Sequence, residues 1–354
     1  MSNPSSESVY ALKNPWEKEV HKIWLASTLR LTRNFANFLF PHKLTLEQKE
    51  QIVYLAYKGL SESKYLEAPV LFSSNKITPI EKEYLLEHFL ISNGFHHAHK
   101  GEGFVIDNSS DFLGTININN HLQFTILDTS QEIEKALNRL IKIESALGET
   151  VHYAYNNRFG FLTANPQNAG TALRVTLYLH IPAVIHSGEL TELLEREKEE
   201  EIKASGLQGN ITEMIGDILV TSNICTIGLT EEYILTAMRM WATRTIIAEM
   251  NLRKKLMSDD NEKIKNKVTR ALGLLTHSYQ LETIEAMNAL SLVKLGIDIG
   301  WILPPEGVNI TKLLFDTRRA HLLNALGTNT PITELPKKRA EYLHTIAKSL
   351  NLTI

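Results

Sequence analysis

His96, His97 and His99 offer imidazoles of the type that ligates zinc, in a segment flanked by Gly94, Gly101 and Gly103. Such a loop has no fixed geometry and no cysteine stands near it, so it reads as exposed and no metal site is assigned. Asp316 and Arg319 are spaced i, i+3, which on one helix makes a local ion pair. Asn119-Asn120 has the composition of a two-residue hairpin turn. Ile234, Met238 and Trp241 form a helical stripe that reads as core or dimer interface, not as a cofactor box. The most informative stretch is 158–174: Arg-Phe-Gly-Phe-Leu-Thr-Ala-Asn-Pro-Gln-Asn-Ala-Gly-Thr-Ala-Leu-Arg.

The elements that must position these residues follow from composition and periodicity. A chain of 354 residues, 43% apolar and 22% charged, can bury a sizeable core and makes about two domains. The net charge of −3 gives no reason to expect a nucleic-acid partner. Cys225 is the one cysteine, which excludes an internal disulfide and fits a reducing cytoplasm. The longest apolar run, Val175 to Ile185, contains His180 and Pro182; it reads as a buried strand too short to span a bilayer. Residues 1–15 are polar and Ser-rich, a loose tail without the apolar run of a signal peptide.

Residues 16–92 alternate helices and loops. Thr45 and Gln48 look like a capping box opening a helix to Leu60. Phe112–Ile118 and His121–Leu127 read as hairpin strands, and Ser130 as the cap of a helix to about Leu147 with Ile133, Leu137, Leu140 and Ile141 on its buried face. Tyr153–Tyr155 and Arg174–Ile181 are expected to continue the sheet. From Thr230 onward the pattern is nearly all helix, so a boundary is placed near 230.

Several separated segments carry a resemblance. Stretch 158–174 resembles the Cys-Pro-x-Asn-x-Gly-Thr-Gly-Leu-Arg segment of the ATP:guanidino phosphotransferases, with Pro166, Asn168, Gly170, Thr171, Leu173 and Arg174 in place and Asn165 at the Cys position. Residues 23–35, 117–123 and 205–210 are similar to that family's Arg-x-Arg-x-x-Arg-Asn, Asn-Glu-Glu-Asp-His-x-Arg and Arg-Gly-x-x-Gly-Glu segments. Ser222-Asn223 and 295–300 match structural segments. Residues 315–320, Phe-Asp-Thr-Arg-Arg-Ala, resemble the Arg-Asp-x-x-Arg-Ala phosphoarginine-binding motif of the bacterial protein-arginine kinase branch, after a shortened loop.

The resemblance implies an α+β fold: an antiparallel-sheet phosphagen-kinase-like catalytic domain flanked by helices over 16–229, then an all-helical dimerisation domain over 230–354. It implies ATP with Mg²⁺ as cofactors and a cytoplasmic protein. The partners it implies are a second copy of the chain, a zinc-binding activator protein and a Clp-type unfoldase–protease, with no nucleic acid and no membrane. Phosphoryl transfer needs positioning and charge neutralisation. By carry-over, Arg30 and Arg174 keep phosphate-binding arginines, while Thr28, Gln123 and Ser205 replace others. The family's glutamates fall at Ile118, Asn119 and Asn210. Losing one charge-stabilising donor costs about 10²–10³ in rate, and losing a general base about 10²–10⁴. The expectation is a catalytically impaired pseudokinase with a binding or regulatory role. An active kinase that drew a base from Glu102, Asp107 or Asp111 is a second reading, and a phosphoarginine-binding module using Asp316 and Arg319 a third.

Overall fold

The computed structural model describes residues 9–18, 20–91, 99–258, 261–327 and 330–354. Strand β1 (Trp24–Arg33) leads to helix α1 (Leu46–Ser61), β2 (Val70–Ser73), α2 (Pro79–Glu87), β3 (Gly103–Ile106), β4 (Phe112–Ile116) and β5 (Leu122–Asp128). Helix α3 (Ile133–Gly148), the short strands β6 (Tyr155–Asn156) and β7 (Gly160–Phe161), and β8 (Leu173–His180) follow. Next come α4 (Pro182–His186), α5 (Leu190–Arg196), β9 (Ile202–Gly206) and β10 (Ile218–Asn223). The rest is α6 (Glu231–Ser258), α7 (Glu262–His277), α8 (Thr283–Asp298), β11 (Ile302–Leu303), α9 (Ile310–Asp316), α10 (Arg319–Leu326), α11 (Leu335–Ala347) and β12 (Asn351–Leu352). The main sheet has the strand order β2-β3-β4-β5-β1-β8-β10-β9. Neighbours from β2 through β1 are antiparallel. This is the expected α+β class, an antiparallel sheet flanked by helices and followed by a helical region.

The chain divides into two compact units, one of Met1–Pro15, Ala26–Thr176 and Ser222–Met238, the other of Trp16–Leu25, Leu177–Thr221 and Arg239–Ile354. In the first, Thr45 caps α1 as anticipated. Its hydroxyl accepts from the Gln48 N–H, and the Gln48 side chain accepts from the Thr45 N–H. Helix α3 buries Ile133, Leu137, Leu140, Ile143 and Leu147, a stripe at i+3 and i+4 steps. In the second unit, α7 buries Ile264, Val268, Ala271 and Leu275 along one face. Its neighbour α8 is buried on most of its circumference, which fits a central helix.

Four local expectations change. Ser130 is not the cap of α3; its hydroxyl donates to Asp128 Oδ1 and Glu132 occupies the N-cap position. Ile141 is 37% exposed, because it stands one residue, about 100° of turn, past Leu140. Tyr155 pairs with Phe161 in a separate two-stranded hairpin, not in the main sheet. The run from Val175 ends as a strand at His180, and Pro182 opens α4, where its missing N–H costs nothing.

Helix α6 resolves the stripe on its own surface. Ile234, Met238 and Trp241 are buried, and the Trp241 Nε1–H donates to the Glu197 carbonyl at 2.9 Å. The same helix exposes Tyr233, Met240, Ile247, Met250 and Met257. Among the described residues no helix is long and apolar enough to cross a membrane.

Candidate functional site

In the first unit a cavity of about 830 Å³ gathers most of the residues singled out by sequence: Arg30, Ile118, Asn119, Gln123, Asn165 and Arg174 line it. Side chains alternate along a strand, so Thr28, Arg30 and Thr32 share one face of β1. Across the ladder Arg30 pairs with Thr125, Thr32 with Gln123 and Thr28 with Leu127. Thr28 is fully buried and is not part of the lining; among the described residues its hydroxyl has no hydrogen-bond partner. Ser205 and Asn210 belong to the other unit. Ser205 lies on β9, and Asn210 Oδ1 accepts from the N–H and Oγ1 of Thr212.

Arg174 is the second residue of β8 and is pinned on both arms. One guanidinium nitrogen donates to the Asn223 carbonyl at 2.8 Å, the other to Asn168 Oδ1 at 3.0 Å. Asn223 is itself fixed, bonding Val175 N–H, the Leu173 carbonyl and the Cys225 carbonyl. Arg30 donates to the Phe89 carbonyl at 3.2 Å, and its buried Nε has no partner among the described residues. Neither arginine meets a carboxylate among the described residues. Burial, and next the like charge of Arg30, push the Arg174 guanidinium below its ordinary value; Cys225 acts the other way. Two unneutralised guanidinium groups and an orphaned buried donor suit an anion, so the residues present fit the phosphates of ATP.

The loop before Arg174 is built by close backbone approach. Asn165 Oδ1 accepts from Gln167 N–H and caps the turn Pro166–Asn168. Gly170 has φ +99°, and a Cβ there would sit 2.4 Å from the Thr226 carbonyl oxygen, so only glycine fits. Ala172, where the family pattern has its second Gly, also takes a left-handed φ of +52°. Arg33 anchors the other side: its Nε meets Glu144 at 2.8 Å, and its guanidinium lies 3.5 Å from the Phe161 ring centre.

The hairpin between β4 and β5 turns through 117–121, longer than the expected Asn119-Asn120 turn. Asn117 adopts φ +61°, and its amide donates to the carbonyls of Lys49 and Gly101 at 2.9 and 2.8 Å. Asn120 Oδ1 accepts from Asn34 and from Ala164 N–H, joining this loop to the 158–174 segment. His121 accepts from Phe35 N–H at Nδ1 and so donates from Nε2 to the Leu39 carbonyl, the neutral tautomer that its burial favours.

Of the three acids considered, Glu102 lines the cavity; Asp107 and Asp111 do not and are gripped by Arg139 at 2.9 and 2.6 Å. Glu102 is buried. One oxygen stands 3.7 Å from Lys49 Nζ, the other accepts the His99 N–H at 3.0 Å. His99 is exposed, as read; His96 and His97 lie outside the described residues. Lys49 and His42, which also line the cavity, were not singled out by sequence. Lys49 follows the α1 capping box; its carbonyl accepts from the Asn117 amide and its Nζ faces Glu102.

Asp316 and Arg319 do not share a helix. Asp316 ends α9 and pairs with Lys312, whereas Arg319 opens α10 and is exposed. The break follows from extended backbone at Arg318, while Thr317 turns its hydroxyl back to the Leu313 carbonyl. Phe315 is fully buried, so it offers no surface to a ligand.

The architecture is that of the phosphagen kinases. A solved lombricine kinase superposes with a TM-score of 0.57 at 19% identity, covering 72% of this chain and 73% of that one. A match to the ATP:guanido phosphotransferase C-terminal catalytic domain spans residues 49–252. A second match, to the protein-arginine kinase McsB C-terminal domain, spans 261–352. The protein-arginine kinase of Chlamydia pneumoniae is 37% identical over 91% of this chain and 90% of its own length. That of Syntrophomonas wolfei is 30% identical over 96% and 95%. The chain belongs to the protein-arginine kinase family of ATP:guanido phosphotransferases.

Proposed function

We propose that this member of the family is a pseudokinase, retaining a phosphate-binding cavity and acting as a binding or regulatory protein. The observation that carries the reading is the pairing of Arg30 and Arg174, without carboxylate neighbours among the described residues, with Ile118 and Asn119 at the acid positions of the same cavity. Two guanidinium groups can hold a triphosphate, while neither Ile118 nor Asn119 can take a proton from a substrate guanidinium. When bound, ATP with Mg²⁺ would supply the phosphoryl group. Arg30 and Arg174 would hold its phosphates, and Asn165 would face an arginine side chain in place of a thiolate.

A second reading has one specific support. Glu102 lines the cavity together with Asn165 and could serve as the base of an active kinase once released from Lys49 and His99. The test is incubation of the purified chain with ATP, Mg²⁺ and a basic protein, read by phosphoarginine mass spectrometry. The pseudokinase reading expects none. Phosphoarginine that disappears in Glu102→Gln and in Arg30→Ala/Arg174→Ala would establish the second reading instead.

The proposal extends to assembly. Residues 16–229 would form the phosphotransferase-like part and 230–354 a dimerisation part. The buried Ile234, Met238 and Trp241 cannot supply the interface; the exposed Tyr233, Met240 and Ile247, at heptad spacing on α6, can. A zinc-binding activator and a Clp-type unfoldase–protease remain the partners the family suggests, in a cytoplasmic setting. Phosphoarginine binding at Asp316 and Arg319 would have to proceed without Phe315, which is buried.

A further inference from the structure

The second unit holds a cavity of about 700 Å³ walled by Leu190, Leu194, Met214 and Leu292, with Asp217 in its lining. Asp217 is 5% exposed. Its Oδ2 accepts from Ser291 Oγ at 2.5 Å and from His186 Nε2 at 3.1 Å. Its Oδ1 has no hydrogen-bond partner among the described residues. The donors are ordered. Ser291 gives its proton to Asp217, so His180 Nε2–H donates to Ser291 Oγ at 2.7 Å and His180 Nδ1 faces Arg253 at 3.5 Å. Lys267 Nζ can only donate, so His186 accepts at Nδ1, 3.3 Å away, and donates to Asp217 at Nε2. Both chains of donors end on this one carboxylate. Its backbone is held in a left-handed turn, Gly216 at φ +61° and Asp217 at φ +51°, by a 2.7 Å bond from Gly216 N–H to Asn288 Oδ1. A non-glycine residue kept in that region is a costly placement.

We propose that this cavity binds a primary alkylammonium group, its head on Asp217 Oδ1 and its aliphatic stem against Leu190, Leu194, Met214 and Leu292. A guanidinium fork is matched by two free carboxylate oxygens, and Oδ2 already carries two donors. An ammonium is a point charge that one oxygen can anchor, and the Thr191 and Thr212 hydroxyls in the lining can accept its remaining protons. Glu195 adds a second carboxylate to the lining and Lys198 a countercharge, so one added cation does not meet a net positive wall. The site shares no residue with the arginine-bearing cavity and includes neither Asp316 nor Arg319.

The ammonium could belong to a free amine or to a lysine side chain, and two probes separate them: n-hexylammonium and Nα-acetyl-lysine methylamide. Each is titrated calorimetrically into the full chain, with n-hexylguanidinium and hexanol as controls. Saturable binding of at least one ammonium probe is expected, at least tenfold tighter than either control. It weakens at least tenfold in Asp217→Asn and in Leu292→Trp, the latter filling the cavity from a lining residue that is not itself a member of the donor chains. Within that result the tighter probe identifies the source. No saturable ammonium binding, equal binding of hexanol, or affinity unchanged by Leu292→Trp would overturn the proposal. Should Asp217→Asn fail to fold, the Leu292→Trp result decides.

Discussion

The indole of Trp16 lies on the ring of Phe315, with centroids 4.0 Å apart and planes 20° from parallel. Both side chains are fully buried, and the Trp16 carbonyl accepts from Nδ2 of Asn309, whose Oδ1 caps α9 by accepting from the Lys312 N–H. The position where the family motif carries its first arginine has therefore become part of a stacked aromatic core.

Restoring that arginine is expected to damage the protein. Phe315→Ala should cost about 3–5 kcal/mol, the usual loss for a buried aromatic. Phe315→Arg should cost at least as much, since it adds an unpaired charge to an apolar site. Urea denaturation measures both. A Phe315→Arg protein as stable as wild type, and binding phosphoarginine, would contradict the arrangement.

ATP is expected to bind weakly, on the order of millimolar or worse, because, if the family resemblance holds at Gln123 in the lining and at buried Thr28 behind it, charge-assisted contacts of about 1.5–3 kcal/mol each are missing. Calorimetry with wild type and Arg174→Ala tests it. A low-micromolar constant abolished in the variant would mean the two remaining arginines suffice.

Ala172 sits at φ +52° where a glycine would be unstrained. A left-handed L-residue costs roughly 1–2 kcal/mol, and the added flexibility of glycine in the unfolded chain returns about 0.4–1 kcal/mol of that. Ala172→Gly should therefore stabilise by about 0.5–1 kcal/mol. A lowered denaturation midpoint would show that the Ala172 methyl makes a contact outweighing the strain.

Stability should fall on mild acidification. Burial first, then Lys294 and Arg253, hold His180 well below its ordinary 6.5, and His21 is lowered by the same causes. His180 stays neutral in the fold where the unfolded chain takes a proton at about 6.5, so the unfolded state binds more protons below that pH, and the half-exposed His21 acts in the same direction. The His180 contribution is complete above 6.5 and is lost as pH falls, by up to about 1.4 kcal/mol per pH unit. Glu249, raised by burial, acts in the opposite sense from about its ordinary 4.5 upward. The difference between wild type and His180→Gln isolates the histidine: the variant should lose less stability between pH 7.5 and 5.5, as followed by thermal melting. Parallel curves would remove His180 from the account.

Light scattering at tens of micromolar is expected to show a dimer, and Met240→Asp/Ile247→Asp, two exposed positions on α6, should shift it to the mass of one chain. A wild-type monomer, or a double variant that stays dimeric, would rule out this face.

Several features were legible in the chain itself because they are local. The Thr45–Gln48 cap needs only adjacent residues, and the α3 stripe only helical periodicity. Arg30, Gln123, Asn165 and Arg174 were legible through a spaced pattern, and the fold brings them to one cavity. Glu102 was named with Asp107 and Asp111, but that it alone of the three lines the cavity was not legible, and neither was Lys49, because Asn117 ties the Lys49 and Gly101 carbonyls across a distance in sequence. Nor was the fate of Phe315, whose partner Trp16 lies near the other end of the chain. The break between Asp316 and Arg319 was hidden for another reason: the helical pattern continues through it, and Arg339 Nε, from α11, accounts for the freed Thr317 carbonyl.

Asn34, Asn117 and Asn120 tie five stretches of backbone around the arginine-bearing cavity: the end of β1, the start of α1, the segment at Gly101 before β3, the 117–121 turn and the 158–174 loop. Every knot is a carboxamide bonded to protein groups, so the walls are set before anything arrives. A ligand entering there gives up little chain entropy on arrival and meets a wall that cannot mould itself to a poor fit. Recognition at such a rim is decided by shape and charge on encounter. On the proposed pseudokinase reading, that rigidity would give discrimination between ligands, where an enzyme cycling between open and closed forms would be slowed by it.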